Sequence, residues 1–265
     1  MWNKIFNISA WVVGVAGTFV LFAAAVSTSK QARLKDVGVK IDYAGENFFL
    51  DENDVLNTIK NLGFTTENTL MDTINPGSIE RVLENHPFIE DAEVYKRLNS
   101  KLFVEVQMRK PVLRVFNTKG QSLYLDEHGV FMPLSDRYAA RTPVANGWIK
   151  LPFDNLEGSN IHTLNEDSEN KEMAKIYELF KLVTHVRNDA FWSAQFNQYY
   201  VSRSGELEII PRVGDHVIQI GDTKDLDKKL TKLMKFYQEG LAKTGWNEYK
   251  TINLKYANQV VCTKS

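Results

Sequence analysis

The chain has 265 residues, of which 43% are hydrophobic, 25% charged and 11% aromatic, and its formal net charge is −1. At roughly 150 residues per domain this is about two domains, each with enough chain for its own core. The composition excludes wholesale disorder, collagen and low-complexity repeats. Near-neutral charge removes the basic excess with which nucleic-acid binders neutralise phosphates, and the one cysteine, Cys262, excludes an internal disulfide or a cysteine-based metal site.

The first element is apolar. Ile5 to Val26 runs for about 22 residues without a charge, which as a helix is ~33 Å, long enough for a ~30 Å hydrocarbon core. A cleavable signal peptide is the alternative, with Ala23, Ala24 and Ala25 near a cleavage position. The run exceeds a signal core of about 7–15 residues, and only Lys4 and the amino terminus supply charge before it, so an uncleaved anchor is expected. Lys30, Arg33, Lys35 and Lys40 follow the run; read alone, the positive-inside rule would leave the large part of the chain in the cytoplasm. Ala10, Gly14 and Thr18 form a row of small residues at a spacing that permits close helix packing.

A short polar linker leads to Val39–Tyr43, which alternates like a strand. Asp51 followed by Asp54 predicts a helix N-cap with a reciprocal acid, ahead of Val55, Leu56, Ile59 and Leu62, with Gly63 as the stop. Asn75 and Pro76 open a second helix, with Ile79, Val82 and Leu83 on its apolar face, and Pro87 forces it to end near His86. Two strands follow around an Asn99-Ser100 turn: Ile89–Leu98, with Ala92 and Val94 inward, and Leu102–Arg109, where Leu102, Val104, Val106 and Met108 alternate with polar or outward residues. The order is strand, helix, helix, strand, strand. Two helices on one face of a three-stranded sheet leave the other face and an edge strand for extended partners.

The stretches Tyr43–Leu50, Ile79–Ile89 and Leu102–Pro111 together resemble a POTRA domain, and more narrowly that of the FtsQ/DivIB family of bacterial cell-division proteins. Beyond Pro111 the pattern turns strand-rich. Asn117–Gly120 reads as a hairpin turn between Val112–Phe116 and Gln121–Asp126. Tyr124–Ser135 is a strand–turn–strand similar to a segment of the same family, as is Arg141–Gly147. Residues 152–168 read as polar and irregular. A helix is expected over Glu169–Asn188, with Met173, Ile176, Tyr177, Phe180, Val183 and Val186 facing the core. Strands are expected at Tyr199–Arg203, Glu206–Pro211 and Val217–Gly221, then a helix over Asp225–Lys243 and a final strand over Thr251–Val261. Gly221-Asp222, Leu226, Lys229-Leu230 and Ile252-Asn253-Leu254-Lys255-Tyr256 extend the family resemblance to nearly the whole chain.

The chemistry-bearing residues make no catalytic pattern. His86, His128, His162, His185 and His216 lack metal-ligand spacing and read as surface or turn histidines, and no phosphate-binding or nucleophile motif is present. Asp126-Glu127-His128-Gly129 reads as turn chemistry between strands. No catalytic residue, cofactor or metal is expected.

The expected fold is α+β: residues 1–36 carrying the cytoplasmic start, a single transmembrane helix and a linker, a β-α-α-β-β POTRA domain over 37–110, and a β-rich domain with two helices over 111–265. The resemblance implies a bitopic, non-enzymatic scaffold in the cytoplasmic membrane, held through residues 5–26, with its large part outside the cytoplasm, against the charge bias. It implies FtsB and FtsL as partners by β-strand addition, with the POTRA module recruiting other division proteins. By motif the partner-binding positions are Leu254, Lys255, Tyr256, Ala257 and Asn258, with lysine at 255 where arginine is more usual. The competing reading of that strand is plain core duty for Ile252 and Leu254. Two other functions stay open: a POTRA-type chaperone or translocation module, and an anchored periplasmic cell-wall hydrolase.

Overall fold

The structure is a computed structural model. It describes residues 14–20, 32–66, 68–166 and 170–265. Most of the Ile5–Val26 run and residues 27–31 of the expected linker lie outside the described residues, whereas the end of that linker is structured: Leu34 is buried and its N–H donates to Thr69 O at 2.8 Å. Residues 14–20 of that run are helical, with Phe19 and Val20 exposed. Thr18 Oγ1 donates to Val15 O at 2.8 Å, so its hydroxyl is satisfied within its own helix. Among the described residues no helix is long and apolar enough to cross a membrane.

The chain divides into two compact units, one holding Leu50–Met108 with the residues up to Tyr43, the other holding Ala44–Phe49 and Arg109–Ser265. The first unit runs β1 (Asp36–Asp42), α1 (Glu52–Asn61), α2 (Pro76–Glu84), β2 (Ile89–Arg97) and β3 (Lys101–Met108). Its sheet is ordered β1-β3-β2, with β1 parallel and β2 antiparallel to β3. The reciprocal cap before α1 is present: Asp54 N–H donates to Asp51 Oδ1 at 3.1 Å and Asp51 N–H to Asp54 Oδ2 at 2.8 Å. Asn75 occupies the N-cap of α2 but its side chain makes no cap bond; instead Ser78 Oγ donates to Asn75 O at 2.7 Å.

The core of this unit follows the expected pattern except at Val82, expected on the apolar face of α2 but exposed. Val55, Ile59, Ile79 and Leu83 from the helices are buried, as are Ala92, Val94, Leu102, Val104, Val106 and Met108 from the strands. Each of these side chains larger than alanine contributes about 1.5–3 kcal/mol on burial. Glu80 of α2 accepts the Val94 N–H at 2.8 Å, satisfying a donor on an edge strand of the sheet.

The second unit is built on a nine-stranded sheet. In chain order its elements are β4 (Pro111–Phe116), β5 (Ser122–Asp126), β6 (Phe131–Met132), β7 (Val144–Gly147), α3 (Ile161–Glu166), α4 (Lys171–Arg187), α5 (Ala190–Gln195), β8 (Phe196–Val201), β9 (Leu207–Pro211), β10 (Val217–Gly221), α6 (Leu226–Lys235), β11 (Tyr249–Asn253) and β12 (Val261–Lys264). Spatially the sheet runs β12-β11-β10-β9-β8-β7-β4-β5-β6. The two long helices have a topological reason: α4 lies in the crossover between the parallel neighbours β7 and β8, and α6 in that between β10 and β11. Met173, Ile176, Phe180, Val183 and Val186 of α4 and Leu226, Leu230 and Leu233 of α6 join one core with the sheet.

Four sequence expectations are corrected here. Residues 152–168 are not simply irregular: α3 lies there, Ile161 and Phe153 are buried, and Leu156 packs against the core. The domain carries short helices, α3 and α5, beyond the two expected. The helix expected to run to Lys243 changes geometry: after α6 it continues as a π-helical stretch, Phe236–Leu241, that buries Tyr237 and Leu241, and closes with Ala242–Thr244. His216 is 1% exposed rather than a surface histidine, its Nε2 lying 3.0 Å from Tyr237 Oη.

Candidate partner-binding edge

A sheet must end somewhere, and its two ends here differ. At the β6 end the backbone of residues 158–161 seals the edge. Phe131 N–H donates to Ser159 O at 3.0 Å, Gly158 N–H to Phe131 O at 2.8 Å, and Ile161 N–H to Gly129 O at 2.8 Å. At the other end β12 pairs with β11 on one side only, and no described strand lies beyond it. In a strand so placed, alternate N–H and C=O groups point away from the sheet and are free to bond a further strand.

The expected single strand Thr251–Val261 is two strands. β11 stops at Asn253, and β12 returns antiparallel to it, with Asn253 opposite Val261 and Thr251 opposite Thr263. β11 is therefore an interior strand, flanked by β10 and β12. The expected site residues fall at the end of β11 and in the turn that follows. Leu254 is fully buried in the core, and its N–H donates to Gln219 O at 3.0 Å, so its side chain serves the fold. Lys255, Tyr256, Ala257 and Asn258 are exposed, Tyr256 by 50%.

Two lysines organise this turn. Lys255 N–H donates to Asn253 Oδ1 at 3.0 Å, while its ammonium reaches both oxygens of Glu206, at 2.9 and 3.1 Å. That pairing raises the Lys255 pKa above its ordinary value. The stem of Lys255 lies over Gly221, where an added Cβ would stand 2.8 Å from Lys255 Cγ. Lys232 donates to the carbonyl of Leu254 at 3.2 Å and to that of Tyr256, pinning the turn to α6. Burial lowers the Lys232 pKa, with the neighbouring Lys229 charge adding to the effect. Lys229 is itself buried and donates to Asp222 O at 2.8 Å and Oδ1 at 2.7 Å, which gives the Gly-Asp and Lys-Leu elements of the sequence a shared structural purpose.

Sequence reasoning missed β12 itself, together with Glu206 and Lys232. The signal for β12 was the run Val260-Val261-Cys262-Thr263, rich in strand formers, after the polar turn at 256–258. Val260 and Cys262 pack against the core and Val261 is 41% exposed. Burial raises the Cys262 pKa, which favours the neutral thiol. Asp126 is confirmed in its turn role: Oδ1 accepts the N–H groups of His128 at 2.9 Å and Val130 at 2.7 Å, and Oδ2 holds Arg109 Nη1 at 2.9 Å.

Residues 33–107 match the model of a POTRA-like domain, and residues 110–263 match the model described as FtsQ/DivIB, C-terminal related. Among characterised proteins the chain is similar to the cell division protein FtsQ of Rhodothermus marinus, at 24% identity over 194 residues. That match covers 71% of this chain and 65% of the relative, so the chain spans just under two-thirds of the relative's length. The 110–263 match takes in more than half of the 265 residues and every strand from β4 to β11, and by it the chain belongs to the FtsQ/DivIB family.

Proposed function

We propose that this chain is a non-enzymatic scaffold of bacterial cell division whose C-terminal sheet accepts a strand from FtsB at the free edge of β12, with FtsL held in the same assembly. The similarity to a protein named for cell division supports the process. The observation that carries the mode is the asymmetry of the sheet: the β6 edge is sealed by residues 158–161 and the β12 edge is open. Main-chain hydrogen bonds along β12 supply affinity, at about 0.5–1.5 kcal/mol each. The exposed turn residues Lys255, Tyr256, Ala257 and Asn258 supply selectivity beside it.

In this reading residues 5–26 anchor the chain in the cytoplasmic membrane, and both folded units lie outside the cytoplasm. Restricting the chain to the membrane concentrates it where its partners are. The POTRA-like unit serves recruitment of other division proteins through its own sheet.

Co-purification of FtsB with the full chain tests the proposal. Thr263→Pro, which disrupts β12 as a template, is expected to abolish capture. Tyr256→Ala, at an exposed side chain, is expected to weaken capture without disturbing the fold. Full capture by both folded variants would overturn the strand-addition reading.

A further inference from the structure

Far along the sheet from β12, the second unit holds a cavity of about 560 Å³ that the strand-edge reading does not use. Lys110, Arg141, Arg187 and Arg212 all line it. Their arrival there follows from the topology. Strands β4, β7 and β8 are mutually parallel neighbours, so their starts lie at one end of the sheet, and the end of antiparallel β9 joins them. Lys110 immediately precedes β4, Arg141 comes shortly before β7, Arg212 immediately follows β9, and Arg187 closes α4.

Charge at this cavity is poorly balanced. Glu127 is paired with two of these cations, 3.7 Å from Lys110 and 3.6 Å from Arg187. Arg141 and Arg212 enter no ion pair or side-chain hydrogen bond among the described residues, and both are exposed. Thr142, also in the lining, has a hydroxyl with no hydrogen-bond partner. Guanidinium groups held open in this way are suited to planar, bidentate recognition of oxyanions.

We propose that this cavity binds an acidic peptide segment of a protein partner, with its carboxylates seated on Arg141 and Arg212. The volume falls in the ordinary range for ligand pockets. A compact phosphate group fits the arrangement less well. The cations come from four separate elements around the cavity rather than from one loop, and no glycine lies in its lining. Spaced carboxylates on an extended chain meet scattered guanidiniums instead. Ser193 and Asn197 in the lining can serve the peptide's main chain, and Pro111 and Pro143 offer apolar contact. This site is independent of β12, so one can fail while the other stands.

The test is fluorescence titration of the purified full chain with a labelled oligoglutamate peptide, with oligoglutamine as the uncharged control. Arg141→Ala combined with Arg212→Ala is expected to weaken oligoglutamate binding at least tenfold with an unchanged melting temperature. Lys119→Ala combined with Lys250→Ala, two cations outside the cavity, is expected to leave binding intact. The proposal is overturned by absent or unsaturable oligoglutamate binding, or by equal losses in the two double variants. It is also overturned if inorganic pyrophosphate displaces the peptide at comparable concentration, or if only anionic phospholipid vesicles bind.

Discussion

Lys255 reaches across the end of β10 to Glu206, its ammonium 2.9 Å from one carboxylate oxygen and 3.1 Å from the other. The lysine that the family motif places among the partner-binding positions thus holds an acid of its own chain. On the proposed reading a partner acid competes with Glu206. Because both side chains are partly solvated, at 33% and 41%, the internal pair is worth no more than about 1 kcal/mol. Glu206→Gln is expected to change stability by less than that and to tighten FtsB binding about two- to fivefold. Lys255→Glu is expected to weaken it. Isothermal titration of the variants measures both.

Two glycines separate backbone necessity from side-chain convenience. Gly147 has φ +106°, and an added Cβ would lie 2.3 Å from the backbone oxygen of Val201, its neighbour's strand. Neither strand can move without breaking the β7–β8 pairing, so Gly147→Ala is expected to cost about 3–5 kcal/mol. At Gly221, φ is +79° and the close atoms belong to the flexible Lys255 stem. Gly221→Ala is expected to cost about 1–2 kcal/mol and to displace Lys255 from Glu206. Urea unfolding of the two variants ranks them.

Asp126 concentrates structural duty in one carboxylate. It is 1% exposed, bonds two turn N–H groups and pairs with Arg109. Removing it strands those donors and a largely buried guanidinium, so Asp126→Ala is expected to destabilise by about 3–5 kcal/mol. Asp126→Asn keeps an acceptor for the turn and should lose about half as much. Denaturant midpoints at fixed slope check the difference.

His216 makes stability depend on pH. Burial lowers its pKa below the ordinary histidine value, opposed by a Trp246 backbone contact and the Asp215 charge. The unfolded chain therefore binds a proton at higher pH than the folded chain does. The neutral folded form is favoured above the unfolded pKa of about 6.5, and stability falls as pH drops from there through the lowered folded value. His86 behaves in the same sense, again through burial. Unfolding measured at pH 7.5 and 5.5 is expected to show a smaller pH-dependent loss in His216→Gln than in the parent chain, His86 contributing equally to both.

The first unit was nearly legible from sequence because its signals are local. The Asp51–Asp54 cap, the Pro87 stop and the alternation from Leu102 to Met108 each act within a few residues. The second unit hides its organisation in parallel pairings between distant segments, such as Val144 with Gln198 and Ile218 with Ile252, which no local pattern encodes. The expected single strand Thr251–Val261 fails for a related reason. Ile252, Leu254 and Tyr256 share a period of two, yet the chain leaves the strand after Asn253, so Leu254 enters the core and Tyr256 turns outward. His216 escaped notice because its burial depends on Tyr237 and Trp246, far along the chain.

The central claim is that β12 is the edge a partner strand occupies. Amide hydrogen exchange across the full chain, with and without FtsB, tests it most directly. The account predicts that Val261–Lys264 exchange at least tenfold more slowly in the complex, while the sealed Phe131–Met132 edge does not change. Unchanged exchange at Val261–Lys264 in a formed complex, with new protection on a different element, would contradict it.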